Sequence, residues 1–526
     1  MSTSLEAARI QLPAAHFISD EDLAHILTLS TPAEVEGRNY FSRLFSGVVG
    51  VKTDAGQNIV AIVDSVGNTV NFAAPIATKG KTVLVWLSDL RAAIPRQLRS
   101  LALEAWANDS EASLPVLATK YPVQIAILVL ELRYAIRVNK ALESSSLSPV
   151  LAALSAEVAE AVKAVRTGLS SHEHKNLSTL MTVAISQADR AQRLAKILAE
   201  DSLGSARQAW SQVLQFTFDV ESSQVIARCG STSIPYGFHF VSADRLVRST
   251  ITDYIYYTTL TSKVAVVIRG AAGTGKTEVQ KDLAADLGYE GVVVNCSEKS
   301  SPAALEALSL AAEANPGTVL IFDEFNRYFV GQPSAAVSLL QRLTEARRCG
   351  RIPLWTAFTY NPHNQGSSLP TGDAIVIETA PPDLLPIIRV LFATEGISEY
   401  ESAAGLTLEF LAWAKGALSP QPVYDWGLRA IKATSQAAGR LFALGSSEGV
   451  LDCLRRALDV AVVARLTVED RVAAEEQLAK LLGRPALAPL TVSVGEKTSA
   501  ISGDKLGQVW LSIVRALPTQ PQCINH

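Results

Sequence analysis

Gly270-Ala271-Ala272-Gly273-Thr274-Gly275-Lys276-Thr277 satisfies G-x-x-x-x-G-K-[ST] at every required position. Each residue type there suits the holding of phosphates. Glycines permit backbone conformations closed to other residues, so successive N–H groups can turn inward around phosphate oxygens. A helical pattern from Glu278 to Leu287 follows, and its positive dipole end would face the same oxyanions. Lys276 would reach the β- and γ-phosphates, and the Thr277 hydroxyl would ligate Mg²⁺. A chance glycine-rich turn would need neither the strand-like run Val264–Ile268 before it nor the helix after it.

A second element lies downstream. Thr318-Val319-Leu320-Ile321-Phe322 is an apolar strand pattern ending in Asp323 and Glu324. Alone, two acids after an apolar run commonly start a helix. Behind a phosphate loop they take distinct roles: Asp323 in the Mg²⁺ shell, Glu324 orienting or deprotonating the attacking water. A third run, Pro353 to Tyr360, leads into Asn361-Pro362. Asn-Pro is usually just a turn. At the tip of a buried strand, however, Asn361 could contact the γ-phosphate or the water. The chemistry implied is ATP hydrolysis with Mg²⁺.

The elements that must position these groups follow from pattern. Residues ~230 to 380 alternate short apolar runs with helical stretches, as in a parallel sheet wrapped by helices. The runs are Val264–Arg269, Gly291–Asn295, Thr318–Phe322, Pro353–Tyr360 and Ala374–Glu378. Residues ~383 to 470 read as four helices suited to a small lid. Residues 1 to ~215 read as mainly helical, with patterns near 83–107, 121–143, 148–167, 176–200 and 205–217. One β-hairpin is expected there, where Val60–Val63 and Thr69–Phe72 flank the turn-forming Ser65–Asn68. Ser144 to Pro149 breaks two of the helices. In the tail, an extended run over Pro489–Val494 and a helix over Asp504–Leu517 are the only patterns. The expected division is 1–217, 218–380, 381–470 and 471–526.

Composition excludes several function classes. Of 526 residues, 48% are hydrophobic and 19% charged, which suits buried cores rather than disorder. A net charge of −4 provides no basic field for nucleic acid or an acidic membrane. Mean hydropathy is +0.20, yet the most apolar run, Ile125–Leu130, falls far short of the ~20 residues that cross a bilayer. No basic region precedes an apolar core at the N-terminus, so no signal peptide is expected and a soluble intracellular protein is the default. Cys229, Cys296, Cys349, Cys453 and Cys523 are scattered, which suits a reducing compartment. His172 and His174 flank Glu173, but i, i+2 spacing does not share a helix face, so a solvated loop or helix end is expected.

Longer motifs narrow the family. Gly270–Asp282 (GAAGTGKTEVQKD), Val294-Asn295-Cys296, Phe322–Arg327 (FDEFNR) and Tyr424–Arg429 (YDWGLR) resemble the first AAA+ module of dynein heavy chains. Arg245-Leu246-Val247 and Thr252-Asp253 resemble the segment that leads into that module and closes over the adenine. Phe17–Leu23 resembles the linker motif F-x-S-D-x-x-L, and Lys120–Gln124 and the Trp210 region resemble later linker helices. The resemblance, over residues ~14 to 450, implies an α/β P-loop AAA+ module with a helical lid. A mainly helical linker-like domain, the lever that swings over the motor ring, would precede it. It also implies that Asn361 is the first sensor and Arg429 the second, a lid cation touching the γ-phosphate. Leu246 and Val247 would line the adenine pocket. Expected partners are other dynein modules and intermediate and light chains, in the cytoplasm, cytoskeleton or cilium, without nucleic acid or membrane.

Two departures bear on activity. The family carries Phe-Arg-Pro just before the last strand, where an arginine finger sits, whereas Leu369-Pro370-Thr371-Gly372-Asp373-Ala374 has no arginine. The sequence also ends soon after the first module, so a truncated paralogue or a fragment is expected, with no microtubule-binding part. An ATP-hydrolysing motor segment is the leading expectation. A non-catalytic, regulatory ATP-binding paralogue is the alternative, and an unrelated AAA+ chaperone-like enzyme is disfavoured by FDEFNR and YDWGLR. Two variants separate the proposed roles. Lys276→Ala should abolish nucleotide binding, while Glu324→Gln should retain ATP and block turnover. Equal loss of ATP affinity in both, measured by equilibrium binding, would remove the distinction.

Overall fold

A computed structural model describes residues 2–219, 224–241, 244–315, 317–350, 355–362, 374–443, 449–483, 491–494 and 497–500. Near the N-terminus, β1 (Gly50–Thr53), β2 (Ile59–Val63) and β3 (Thr69–Ile76) form an antiparallel sheet in that order. The β2–β3 turn forms because the Asp64 carboxylate accepts from the N–H groups of Val66, Gly67 and Asn68. Gly67 supplies the required positive φ of 101°. The expected hairpin is therefore present, with Ile62 opposite Val70, and it gains β1 as a third strand.

Long helices follow at Val83–Asp109, Val123–Glu143, Ser148–Ala164 and Ser171–Glu200. The last begins five residues before the expected 176, because Ser170 and Glu173 form a capping box. His172 and His174 lie in its first turn. Among the described residues, no cluster of three or more His, Cys, Asp or Glu is placed to hold a metal ion. The helix Val123–Glu143 is buried at every residue from Val123 to Ala135, which explains its apolar run. No described helix is long and apolar enough to cross a membrane.

The expected helix over 205–217 is corrected. A helix spans Leu203–Ser211, and the chain then turns into β4 (Gln215–Asp219), β5 (Gln224–Cys229) and β6 (Thr232–Pro235). Alternating Phe216 and Phe218 suit a pleated strand, and pairing to β5 decides against the helix. The expected boundary at 217 thus falls inside β4.

Five parallel strands form the next sheet: β7 (Val266–Arg269), β8 (Glu290–Asn295), β9 (Thr318–Asp323), β10 (Thr356–Tyr360) and β11 (Ile375–Glu378). Their order is β11-β7-β10-β9-β8. All five expected runs contain a strand, with ends shifted by up to two residues in four of them, while Pro353 and Leu354 of the remaining run lie outside the described residues. Phe322 stacks on Phe358 at 5.3 Å, and Phe325 meets Phe358 edge-on at 4.8 Å, within the core under this sheet.

The chain divides into two compact units, Met1–Pro386 and Ile387–His526. The second contains helices Tyr400–Ala417, Leu428–Ala443, Val450–Ala461 and Val468–Leu482. Val468–Leu482 runs through residue 470, where the lid was expected to end. β12 (Thr491–Val494) pairs with β13 (Lys497–Ala500). The expected helix over Asp504–Leu517 lies outside the described residues.

Within the first unit, polar side chains join the helical region to the sheet. Gln124 donates to the Tyr236 hydroxyl and the His239 carbonyl and accepts from the Val241 N–H. Arg91 pairs with Glu290 at 2.8 Å. A buried charge cluster does the same. Arg248 pairs with Asp286, with Glu131 at 3.6 Å and with Asp282 at 3.9 Å. Arg245 adds a contact to Asp286 at 3.2 Å, and Tyr256 donates to Asp282 at 2.6 Å. Glu131 belongs to the central helix, whereas Asp282 and Asp286 belong to the helix after the phosphate loop, Lys276–Asp286. Removing one partner of such a buried set strands charge away from water. Arg248→Met should therefore cost about 3–5 kcal/mol, measured by denaturant unfolding followed by circular dichroism. A midpoint equal to that of the unaltered chain would mean that these carboxylates do not depend on Arg248.

Candidate functional site

Strands β7, β10 and β9 are neighbours and end at one level, with Tyr360 opposite Arg269 and Phe358 opposite Phe322. Everything that follows these three strand ends therefore gathers at one edge, where parallel sheets of this kind bind ligands. The phosphate-loop sequence leaves β7 there. The Gly270 N–H donates to the Tyr360 carbonyl at 3.1 Å. A Cβ on Gly270 would lie 2.1 Å from Thr379 Oγ1, so that glycine is needed for space. Gly273 and Gly275 are needed for conformation instead: both have φ of 79°, and a Cβ on either would meet nothing within 4 Å. Thr274 donates to the Ala271 carbonyl, and Ala272 is exposed at the loop's crest.

Gly275 caps the helix Lys276–Asp286, and no side chain caps its first N–H groups. Those donors suit an anion. Lys276 is 8% exposed and donates to the Ala271 carbonyl at 2.7 Å. Burial pulls its pKa below the ordinary lysine range, while Asp323 and Glu324 act in the opposite sense. Thr277 Oγ1 donates to Asp323 Oδ1 at 2.6 Å.

The acidic pair ends β9. Asp323 Oδ1 also accepts from the Thr359 hydroxyl at 2.5 Å, and that hydroxyl accepts from the Glu324 N–H at 2.9 Å. Glu324 has φ of 51°, and its carboxylate pairs with Arg327 at 2.8 Å. Asn361 follows β10 and is 7% exposed. Its N–H and carbonyl both bond to the side chain of Asn326, at 3.3 and 3.4 Å, and Asn326 is fully buried.

Lys276, Thr277, Asp323 and Glu324 are thus brought together, with Asn361 held beside them through Asn326. Leu246 and Val247 are half-buried, and the Leu246 N–H donates to Asp282 of the phosphate-loop helix at 3.2 Å. Arg429 belongs to the second unit, where its side chain is 90% exposed and pairs loosely with Asp425 at 4.0 Å. The stretch Leu369–Asp373 lies outside the described residues. Thr359 and Asn326 escaped the sequence reading. Their only local signal was a polar residue inside an otherwise apolar or motif-bearing run.

A family model described as the hydrolytic ATP binding site of the dynein motor region matches residues 236–351 and 359–494. Another, for dynein heavy chain N-terminal region 2, matches residues 1–105. The cytoplasmic dynein 2 heavy chain 1 of Tripneustes gratilla is 26% identical over 512 residues, covering 89% of this chain and 12% of that protein. The chain belongs to the dynein heavy chain family. The cytoplasmic dynein heavy chain of Caenorhabditis elegans is 26% identical over 475 residues, covering 83% of this chain and 10% of its own length. Human dynein axonemal heavy chain 3 is 26% identical over 493 residues, covering 89% and 12%. The chain therefore spans about a tenth of the length of the curated dynein heavy chains it matches. Its helical N-terminal region and parallel-sheet module correspond to a dynein linker and an AAA+ module with an ATP-binding site. Its relatives include cytoplasmic and axonemal dyneins, consistent with the cytoskeleton or cilium.

The two kinds of glycine in the loop make separable predictions. Gly270→Ala should cost about 1–3 kcal/mol through overpacking, and Thr379→Ala should recover part of that loss. Gly273→Ala should cost about 1–2 kcal/mol through its left-handed backbone, and Thr379→Ala should recover none of it. Thermal midpoints of the single and double variants decide. Equal rescue of both would contradict the packing origin assigned to Gly270.

Proposed function

We propose that this chain is an ATP-binding and ATP-hydrolysing motor segment of dynein heavy chain type. It would contribute to microtubule-based movement within a dynein complex. The observation that carries the reading is the contact between Thr277 and Asp323 at the mouth of the phosphate loop. These are hard oxygen donors from one hydroxyl and one carboxylate, a set that suits Mg²⁺ sharing its shell with nucleotide phosphates. When bound, Mg²⁺ would neutralise charge on the phosphate oxygens.

The remaining work falls to side chains of this chain. Lys276 would exchange the Ala271 carbonyl for a phosphate oxygen, while the N–H groups of residues 270–277 cradle the chain of phosphates. Glu324 would orient or deprotonate water, and Asn361 would hold that water or the γ-phosphate. Arg429 would add a lid cation, and Leu246 and Val247 would bound the adenine. Residues 1–217 would act as the linker, 218–380 and 381–470 as the two AAA+ subdomains, and 471–526 as an extension beyond them. Other dynein modules, and intermediate and light chains, are the partners proposed.

A second reading, a non-catalytic ATP-binding regulatory segment, draws on two observations. Leu369–Ala374 has no arginine, and the Glu324 carboxylate is engaged by Arg327. An arginine finger is worth about 10³–10⁵ in rate in GTPases, or about 4–7 kcal/mol of barrier. The purified 526-residue chain should therefore bind MgATP and hydrolyse it far more slowly than about one per second. Single-turnover measurement with radiolabelled ATP tests this. Turnover near that rate without a partner would sink the finger argument, and a rate unchanged by Glu324→Gln would favour the regulatory reading.

A further inference from the structure

We propose that Thr359 is a positioning residue of the ATP site, whose hydroxyl sets both acids at the end of β9. This rests on the ATP-site reading above and adds a residue to it. Thr359 is fully buried on the central strand β10. A hydroxyl carries one donor and two acceptor positions, and Thr359 uses both kinds. It donates to Asp323 Oδ1 and accepts from the Glu324 N–H.

The need for such a group follows from strand geometry. Successive side chains of a strand point to opposite faces, so two adjacent acids at a regular strand end could not both serve one site. β9 escapes that rule because Glu324 adopts a left-handed conformation, with φ of 51°, that L residues seldom take. Pairing of β9 with β10 runs through Phe322 opposite Phe358. At the next step, the Glu324 N–H finds the Thr359 hydroxyl instead of a ladder carbonyl. One side chain thus stabilises the departure from the strand and, through Asp323, lies in line with Thr277, which donates to the same oxygen.

The test compares Thr359→Val, which keeps the branched shape, with Thr359→Ser, which keeps the hydroxyl. Affinity for a fluorescent ATP analogue is measured on the full chain in excess Mg²⁺ and in EDTA, with Lys276→Ala as control. Thr359→Val should bind as the unaltered chain does in EDTA but lose about tenfold of the Mg²⁺-dependent gain in affinity. Thr359→Ser should retain that gain. Should valine leave the chain unfolded, Thr359→Ala supplies the same comparison. An undiminished Mg²⁺ gain in the valine variant would overturn the proposal. So would equal losses with and without Mg²⁺, which mark a merely structural role, or a serine variant that behaves like valine. If the unaltered chain binds no better than Lys276→Ala, the ATP-site reading itself fails and the proposal falls with it.

Discussion

Arg248 lies among three carboxylates, those of Glu131, Asp282 and Asp286, with almost no water to share their charge. Much of the first unit is arranged around keeping that cation in place. Its neighbour Leu246 is bonded through its N–H to Asp282, and its own N–H reaches Ser186 of the helix Ser171–Glu200. Burial and the adjacent Asp282 push the Tyr256 hydroxyl well above its ordinary pKa, so it remains a donor to that carboxylate. A buried set like this contributes little net stability compared with apolar packing, but it tolerates few alternative arrangements. It ties the far end of the phosphate-loop helix to two helices of the N-terminal region.

The opposite end of the same helix meets a different demand. Lys276 and the uncapped N–H groups face an edge where three strands end together, and Asp323 collects two hydroxyls there. One end of this helix is therefore held by opposite charges paired within the protein, and the other presents positive character outward. A displacement of the helix would be felt at both ends, because its eleven residues form a stiff rod about 16 Å long.

Local chemistry was legible in the sequence wherever a few adjacent residues decide the outcome. The glycines and Lys276 specify the loop, and the stretch from Ser65 to Asn68 specifies a turn. The apolar run ending in Asp323 specifies a strand with its acids at the tip. Long-range pairing was not legible. β1 is four residues long, and Val213–Thr217 fits a helix until β5 is there to pair with it. The pairing of Arg248 and Arg245 was not legible, because nothing nearby in the chain reveals carboxylates 34 or more residues away. Thr359 and Asn326 were invisible for the same reason: their roles exist only once β9 and β10 lie side by side.

The long-range polar ties also order events at the ribosome. Arg91 waits for Glu290, 199 residues later, and Gln124 waits for Tyr236 and His239, more than a hundred residues later. The helix Val123–Glu143, buried at every residue from Val123 to Ala135, emerges long before β4, which packs against it. Closing such loops carries an entropic cost that grows slowly with length, but non-local pairing slows folding and leaves apolar surface exposed meanwhile. The N-terminal helices are thus synthesised as an unfinished half whose counterpart is still unmade. In a living cell that interval is one in which a chaperone would find the still uncovered apolar side chains of this helix to hold.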